Sequence, residues 1–144
     1  MLLALDVGNT NITIGVFDGT KLLRTLRVTT KLPRTSDEYG ILIKSLLREN
    51  DIDPDRIDAT IVSSVVPAVM YSLRNGLYKY FHVEPLIVEP GIKTGIRIVT
   101  DHPAQIGADR IVDAVGAYEK YGGPVLVLDF GTATTYDLVD DKGQ

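Results

Sequence analysis

Residues 2–19, Leu2-Leu3-Ala4-Leu5-Asp6-Val7-Gly8-Asn9-Thr10-Asn11-Ile12-Thr13-Ile14-Gly15-Val16-Phe17-Asp18-Gly19, decide how the rest of the chain is read. Leu2–Leu5 is a short continuous apolar run, which predicts a strand buried on both faces. It ends at Asp6–Asn11, where Gly, Asn and Asp permit a tight turn. Ile12, Ile14 and Val16 alternate with Thr13, Gly15 and Phe17, so the chain returns as an antiparallel partner, and Asp18-Gly19 supplies the next hairpin turn. The turn gathers a carboxylate, a glycine and small hydroxyl and amide groups at a strand end. Such a turn can bring backbone N–H groups against phosphate oxygens while its carboxylate holds a hydrated cation. It can equally be a hairpin turn that needs Gly8 and caps itself with Asp6 and Asn9.

The pattern then recurs. Leu126-Val127-Leu128-Asp129-Phe130-Gly131-Thr132-Ala133-Thr134-Thr135 is again an apolar strand ending in Asp-x-Gly with hydroxyl residues, and Tyr136, Leu138 and Val139 form its return strand. Two copies of one hairpin, a domain apart, are how two related domains would clamp a nucleoside triphosphate between facing turns.

Composition bounds the class. The 144 residues are 44% hydrophobic and 24% charged, which is ordinary globular usage. A chain of this size can bury a core without covalent staples. It has no cysteine, which excludes disulfides and thiolate metal sites and fits a reducing compartment. His82 and His102 have no ligand spacing around them and read as surface or loop residues. A net charge of −4 argues against a nucleic-acid footprint. No apolar run approaches the roughly 20 residues of a membrane span, and no basic segment precedes Leu2–Leu5 as in a signal peptide. A cytoplasmic protein with no nucleic-acid or membrane partner is the expectation.

Between the two hairpins, Leu22–Thr29 reads as a third strand extending the first hairpin into a meander. Thr35-Ser36-Asp37-Glu38 has capping-box spacing, and Tyr39, Leu42, Ile43, Leu46 and Leu47 follow at helical period, to about Asn50. Arg34, in the loop before the cap, reads as a solvated charge, with phosphate binding as the other reading. Ala59–Ser64 is a β-branched strand, and Pro67 starts a helix whose face is Val66, Met70, Leu73, Leu77 and Phe81, despite a turn-like Asn75-Gly76. Pro85–Glu89 reads as a further buried strand. This β-β-β-α-β-α-β order predicts an α/β fold with a mixed sheet flanked by helices. Pro90–Pro103, with Gly91 and Gly95, reads as a long functional loop or a short strand. Ile111, Val112, Ala114, Val115 and Tyr118 then mark a helix face, placing Asp109 and Arg110 in a first turn, where the dipole and unpaired N–H groups favour anions. A carboxylate there could accept a hydroxyl proton during phosphoryl transfer, and the guanidinium could grip a carboxylate or phosphate by its fork. The plainer reading is an N-terminal helix acid beside a surface charge.

Asp6-Val7-Gly8-Asn9-Thr10, Gly107-Ala108-Asp109-Arg110 and Asp129-Phe130-Gly131-Thr132-Ala133-Thr134-Thr135, in this order, resemble type III pantothenate kinase. This bacterial family belongs to the superfamily of acetate and sugar kinases, heat-shock chaperone ATPases and actin. The resemblance implies a ribonuclease H-like (actin-like ATPase) fold and ATP-dependent phosphorylation of the pantothenate hydroxyl, the first step towards coenzyme A. It implies that Asp6, Val7, Gly8, Asn9, Thr10, Asn11, Ile12 and Thr13 form the first ATP-phosphate turn, with Asp6 organising Mg²⁺, and that Thr132 also binds ATP phosphate. Gly107, Ala108, Asp109 and Arg110 would contact pantothenate, with Asp109 as proton acceptor and Arg110 facing its carboxylate. Asp129 would hold the monovalent cation, K⁺ or NH₄⁺, that the family requires. The family is homodimeric. Thr100 stands where it commonly has a substrate-contacting Tyr.

On this resemblance residues 1–122 are a first actin-like domain, and residues 123–144 are the first hairpin of a duplicated second domain that stops short. A lone hairpin is marginal in water. Val125–Val139 is therefore expected to pack onto the first domain, to pair with another copy or to be poorly ordered, and the chain by itself to bind ATP weakly and turn over little. The rival reading is a non-catalytic nucleotide-binding module of the transcriptional accessory type, which has no need of Asp109. A sugar or acetate kinase relative would share both hairpins but not Gly107–Arg110.

Overall fold

β1 (Leu2–Val7) and β2 (Asn11–Asp18) pair antiparallel, with Asp6 opposite Thr13, and β3 (Lys21–Thr29) extends them into a meander. β4 (Ala59–Ser64) lies parallel to β1 on its other side and β5 (Leu86–Ile87) lies parallel to β4, giving a mixed five-stranded sheet of order β3-β2-β1-β4-β5. The apolar alternation explains how the sheet buries itself. Leu3, Leu5, Val7, Ile12, Ile14, Val16 and Val62 project from one face into the core. β1 is central but not buried on both faces as its apolar run predicts, because Leu2 and Ala4 are half-buried and Asp6 is exposed. β5 is also shorter than expected. Only Leu86–Ile87 pair, at the sheet edge, and Leu86 is exposed. Pro85 and Pro90 bracket the segment and have no N–H to give a ladder, which confines such a strand to an edge.

Two helices cover the apolar face. α1 (Ser36–Arg48) starts at the expected capping box: Glu38 N–H donates to Thr35 Oγ1 at 3.2 Å, and Thr35 N–H donates to Glu38 Oε2 at 2.7 Å. α2 (Pro67–Phe81) runs straight through Asn75-Gly76. Gly76 serves close approach rather than a turn, since a Cβ there would stand 2.5 Å from the Ser36 carbonyl oxygen and 3.2 Å from Tyr39 Cβ. Gly40 is the reciprocal case on α1, lying under the Tyr80 ring. The two helices meet almost backbone to backbone. Arg34 is half-buried rather than a freely solvated charge: its Nη1 donates to Thr29 O at 2.6 Å and its guanidinium lies over the Tyr39 ring.

The structure is a computed structural model describing residues 1–144, and it divides into two units, Met1–Ile87 and Val88–Gln144. The first holds the sheet, α1 and α2. The second begins with an irregular loop from Val88 to His102, in which Gly91 and Gly95 adopt positive φ, and a 3-10 turn at Pro103–Gln105. α3 (Ala108–Tyr121) follows, then the antiparallel pair β6 (Val125–Phe130) and β7 (Thr134–Val139). α3 packs against both strands, so the hairpin is supported on one face. Its other face is apolar and open, with Leu126, Leu128, Phe130, Tyr136 and Leu138 all exposed. No helix is long and apolar enough to cross a membrane.

Candidate active site

The Asp6–Thr13 turn in the first unit is held from outside itself. Gly8 N–H donates to Asn11 O at 3.0 Å, closing the turn. Thr30 then pins it from the end of β3, its hydroxyl donating to Gly8 O at 2.8 Å and its N–H to Thr10 O at 2.9 Å. Val7 and Ile12 are wholly buried, so only their backbone groups could meet a ligand, whereas Asp6, Asn9, Thr10 and Asn11 are exposed. Asp6 lies between Thr13 of β2 and Ser63 of β4 in the ladder. The Ser63 hydroxyl is buried with no hydrogen-bond partner. This is the carboxyl end of two adjacent parallel strands, where open α/β sheets receive ligands.

The second unit gathers the other candidates. Gly107 is the N-cap of α3, Ala108 is buried, and Asp109 and Arg110 stand half-buried in the first turn. Asp109 Oδ1 accepts the Arg110 N–H at 2.8 Å. The guanidinium of Arg110 crosses to β7, where it meets Asp137. Asp129 is half-buried opposite Thr135, on the same hairpin face as Asp137, while Thr132 lies exposed in the turn. Thr100 is exposed in the loop before the 3-10 turn. That loop bounds an open cavity of about 530 Å³, lined among others by Lys93, Arg97, Ile111 and Lys142. One unit thus holds Asp109, Arg110, Asp129 and Thr132, and the other holds the Asp6 turn. Sequence reasoning missed Thr30, Ser63 and Asp137. Ser63 was within reach, because a strand parallel to β1 must end beside Asp6, but nothing in the spacing signals Thr30 or Asp137.

The fold is α/β, with an Asp-x-Gly turn at a strand end in each unit and, in the second unit, a helix N-terminus that carries a carboxylate and a guanidinium. Comparison narrows the class. The chain belongs to the type III pantothenate kinase family, whose sequence model matches residues 2–144. It is 67% identical to the type III pantothenate kinase of Agathobacter rectalis over 143 residues, covering 99% of this chain and 55% of that protein. It is 54% identical to the one from Myxococcus xanthus over 144 residues, covering 100% of this chain and 56% of that protein. The chain therefore spans about half the length of these curated relatives. Among solved structures, the ROK hexokinase of Thermus thermophilus aligns with a TM-score of 0.46 at 16% identity, over 96% of this chain and 46% of that one.

Proposed function

We propose that the protein is a pantothenate kinase, transferring the γ-phosphoryl group of ATP to the pantothenate hydroxyl and giving 4′-phosphopantothenate, the first step of coenzyme A synthesis. The observation that carries this reading is the pairing of family membership with Asp109 and Arg110 side by side in the first turn of α3. In the proposed step the substrate hydroxyl oxygen attacks the γ-phosphorus, the bond from that phosphorus to the ADP oxygen breaks, and the hydroxyl proton passes to Asp109. Asp109 Oδ1 is engaged by the Arg110 N–H, which orients the carboxylate and leaves Oδ2 to receive the proton. Gly107, Ala108 and Arg110 hold pantothenate, the guanidinium meeting its carboxylate by a charge-assisted fork, and Thr100 takes the position of the family's aromatic contact. The Asp6–Thr13 turn and Thr132 hold ATP phosphates.

The donor sets fit the cations this reading requires. Mg²⁺ takes one or two carboxylates and completes its shell with phosphate oxygens and water, and Asp6 with Thr13 opposite it offers such a set. A monovalent cation, K⁺ or NH₄⁺, would take oxygens from Asp129 and its surroundings, where Thr135 stands opposite. When bound, Mg²⁺ would neutralise charge developing on the transferred group. The protein's own part is positioning, which dominates phosphoryl transfer.

The wider reading is a homodimeric cytoplasmic enzyme of ribonuclease H-like (actin-like ATPase) fold, with residues 1–122 as a first domain and residues 123–144 opening a duplicated second one. The open apolar face of β6 and β7 supports this, because a solitary protein surface rarely leaves so many large apolar side chains together.

The test is an ATP- and K⁺-dependent pantothenate phosphorylation assay on the whole natural protein beside its Asp109→Asn variant. Loss of a general base lowers the rate by about 10²–10⁴-fold, and ATP binding should persist. Clear ATP binding with no phosphorylation in the unmodified protein would sink the kinase and leave the nucleotide-binding module.

A further inference from the structure

Asp137 belongs to none of the motifs that point to the kinase, yet it determines how Arg110 is held. Arg110 Nε donates to both carboxylate oxygens of Asp137, at 3.1 Å to Oδ1 and 3.0 Å to Oδ2. Nη2 donates to Oδ1 as well, and to the Tyr136 carbonyl oxygen at 3.4 Å. The pair is partly shielded, with side-chain exposures of 37% for Arg110 and 21% for Asp137. Asp137 raises the guanidinium further above its ordinary pKa, chiefly through these hydrogen bonds, so the charge on Arg110 is secure.

A guanidinium has five N–H donors in a rigid plane and two edges that can each take a carboxylate, Nε with Nη2 and Nη1 with Nη2. Asp137 takes the first edge. At the second, Nη1 keeps its hydrogens, and the other Nη2 hydrogen reaches only the Tyr136 carbonyl oxygen at 3.4 Å, a long contact that a substrate carboxylate in the same plane would displace. An unrestrained arginine on a helix surface would have to be frozen out of many rotamers when its ligand arrives. Here that ordering is completed in folding.

We propose that Asp137 is a positioning residue for substrate binding: it clamps the Nε edge of Arg110 so that the Nη1 edge is already ordered for the substrate carboxylate. This rests on the reading that Arg110 meets the carboxylate of pantothenate. The opposite effect, in which Asp137 competes with the substrate for Arg110, makes the contrary prediction.

Steady-state kinetics on the whole protein decide between them, with Asp137→Asn as the isosteric variant, Asp137→Ala as the full truncation and Asp137→Glu as the conservative one. The expected result is a rise of about 10-fold in KM for pantothenate in Asp137→Asn, the size of one long side chain's ordering cost. KM for ATP and kcat should stay within about twofold, and Asp137→Glu should recover part of the loss. An unchanged or lowered pantothenate KM in a folded Asp137→Asn protein overturns the proposal, even if its melting temperature falls, because that would be a structural tie alone. Nitrogen-15 NMR needs no variant: the Arg110 Nε–H resonance of the unmodified protein should exchange slowly and persist at saturating pantothenate. Fast exchange there also overturns the clamp. An unmodified protein that phosphorylates no pantothenate overturns this role together with the kinase reading, whereas an active one with an unmoved Asp137→Asn KM overturns this role alone.

Discussion

Gly76 of α2 and Ser36 of α1 approach so closely that a Cβ on Gly76 would stand 2.5 Å from the Ser36 carbonyl oxygen. The atom it would strike is backbone, in the capped first turn of a helix, and cannot swing aside. Alanine would ordinarily favour a helix over glycine by about 1 kcal/mol. Here overpacking, typically about 1–3 kcal/mol, opposes that gain and must push α1 and α2 apart. Gly76→Ala is therefore expected to lower the denaturant midpoint with no change in slope. A raised midpoint would show that the helices separate freely.

Tyr39 makes the opposite case. Its ring is fully buried in the core, but its hydroxyl is buried without a hydrogen-bond partner. An unpaired buried polar group costs about 1–3 kcal/mol. Tyr39→Phe should leave stability unchanged or raise it by up to about 2 kcal/mol. A loss of more than about 1 kcal/mol would reveal a partner for that hydroxyl, such as a buried water.

Acid sensitivity should be traceable to Asp37. Its carboxylate accepts from Lys79 Nζ at 2.6 Å and from the Tyr80 hydroxyl at 2.8 Å, and these bonds, that from Lys79 foremost, hold its pKa below the ordinary value. A carboxyl whose pKa is lower in the folded state contributes stability above its unfolded value, near about 3.9, and loses it as pH falls through the folded one. The unmodified protein should thus be more stable than Asp37→Asn at neutral pH, with the gap closing below about pH 4. Because the pair is exposed, salt should shrink the gap too. A gap constant from pH 7 to pH 3 would remove Asp37 from the account.

The role proposed for Asp6 separates nucleotide from metal. Asp6 is exposed, so Asp6→Asn should leave the fold intact. ATP affinity should fall about 10-fold or more in the presence of Mg²⁺, as expected for loss of a charged partner worth about 1.5–3 kcal/mol. Without Mg²⁺ it should change little, and the difference is readable by calorimetry. Equal losses with and without the metal would mean that Asp6 shapes the turn and leaves the cation to other groups.

The local elements were legible in the sequence because their causes are local. Two-residue alternation and turn residues specify the β1–β2 and β6–β7 hairpins. Thr35 and Glu38 specify the start of α1 through bonds spanning one helical turn. The helical period of Ile111, Val112, Ala114, Val115 and Tyr118 places Asp109 and Arg110 in a first turn. Asp6, Asp109, Arg110 and Asp129 could be singled out from the chain alone, whereas Thr30, Ser63 and Asp137 could not.

Tertiary structure decided the rest, because the physical cause lies in pairs far apart in sequence. The helix through Asn75-Gly76 was legible from the period of Val66 to Phe81, but why a glycine stands there was not: the backbone of α1 passes against it. Arg34 reads as a loop charge until Thr29 and Tyr39 are found against it. Pro85–Glu89 has the composition of a buried strand, yet only two of its residues pair, because a place in the sheet depends on a neighbour's free ladder groups as well as on apolar character. Arg110 and Asp137 share no spacing rule at all. Their ion pair exists because α3 packs across the β6–β7 hairpin, a contact that helical period and strand alternation, each a property of a single segment, do not encode.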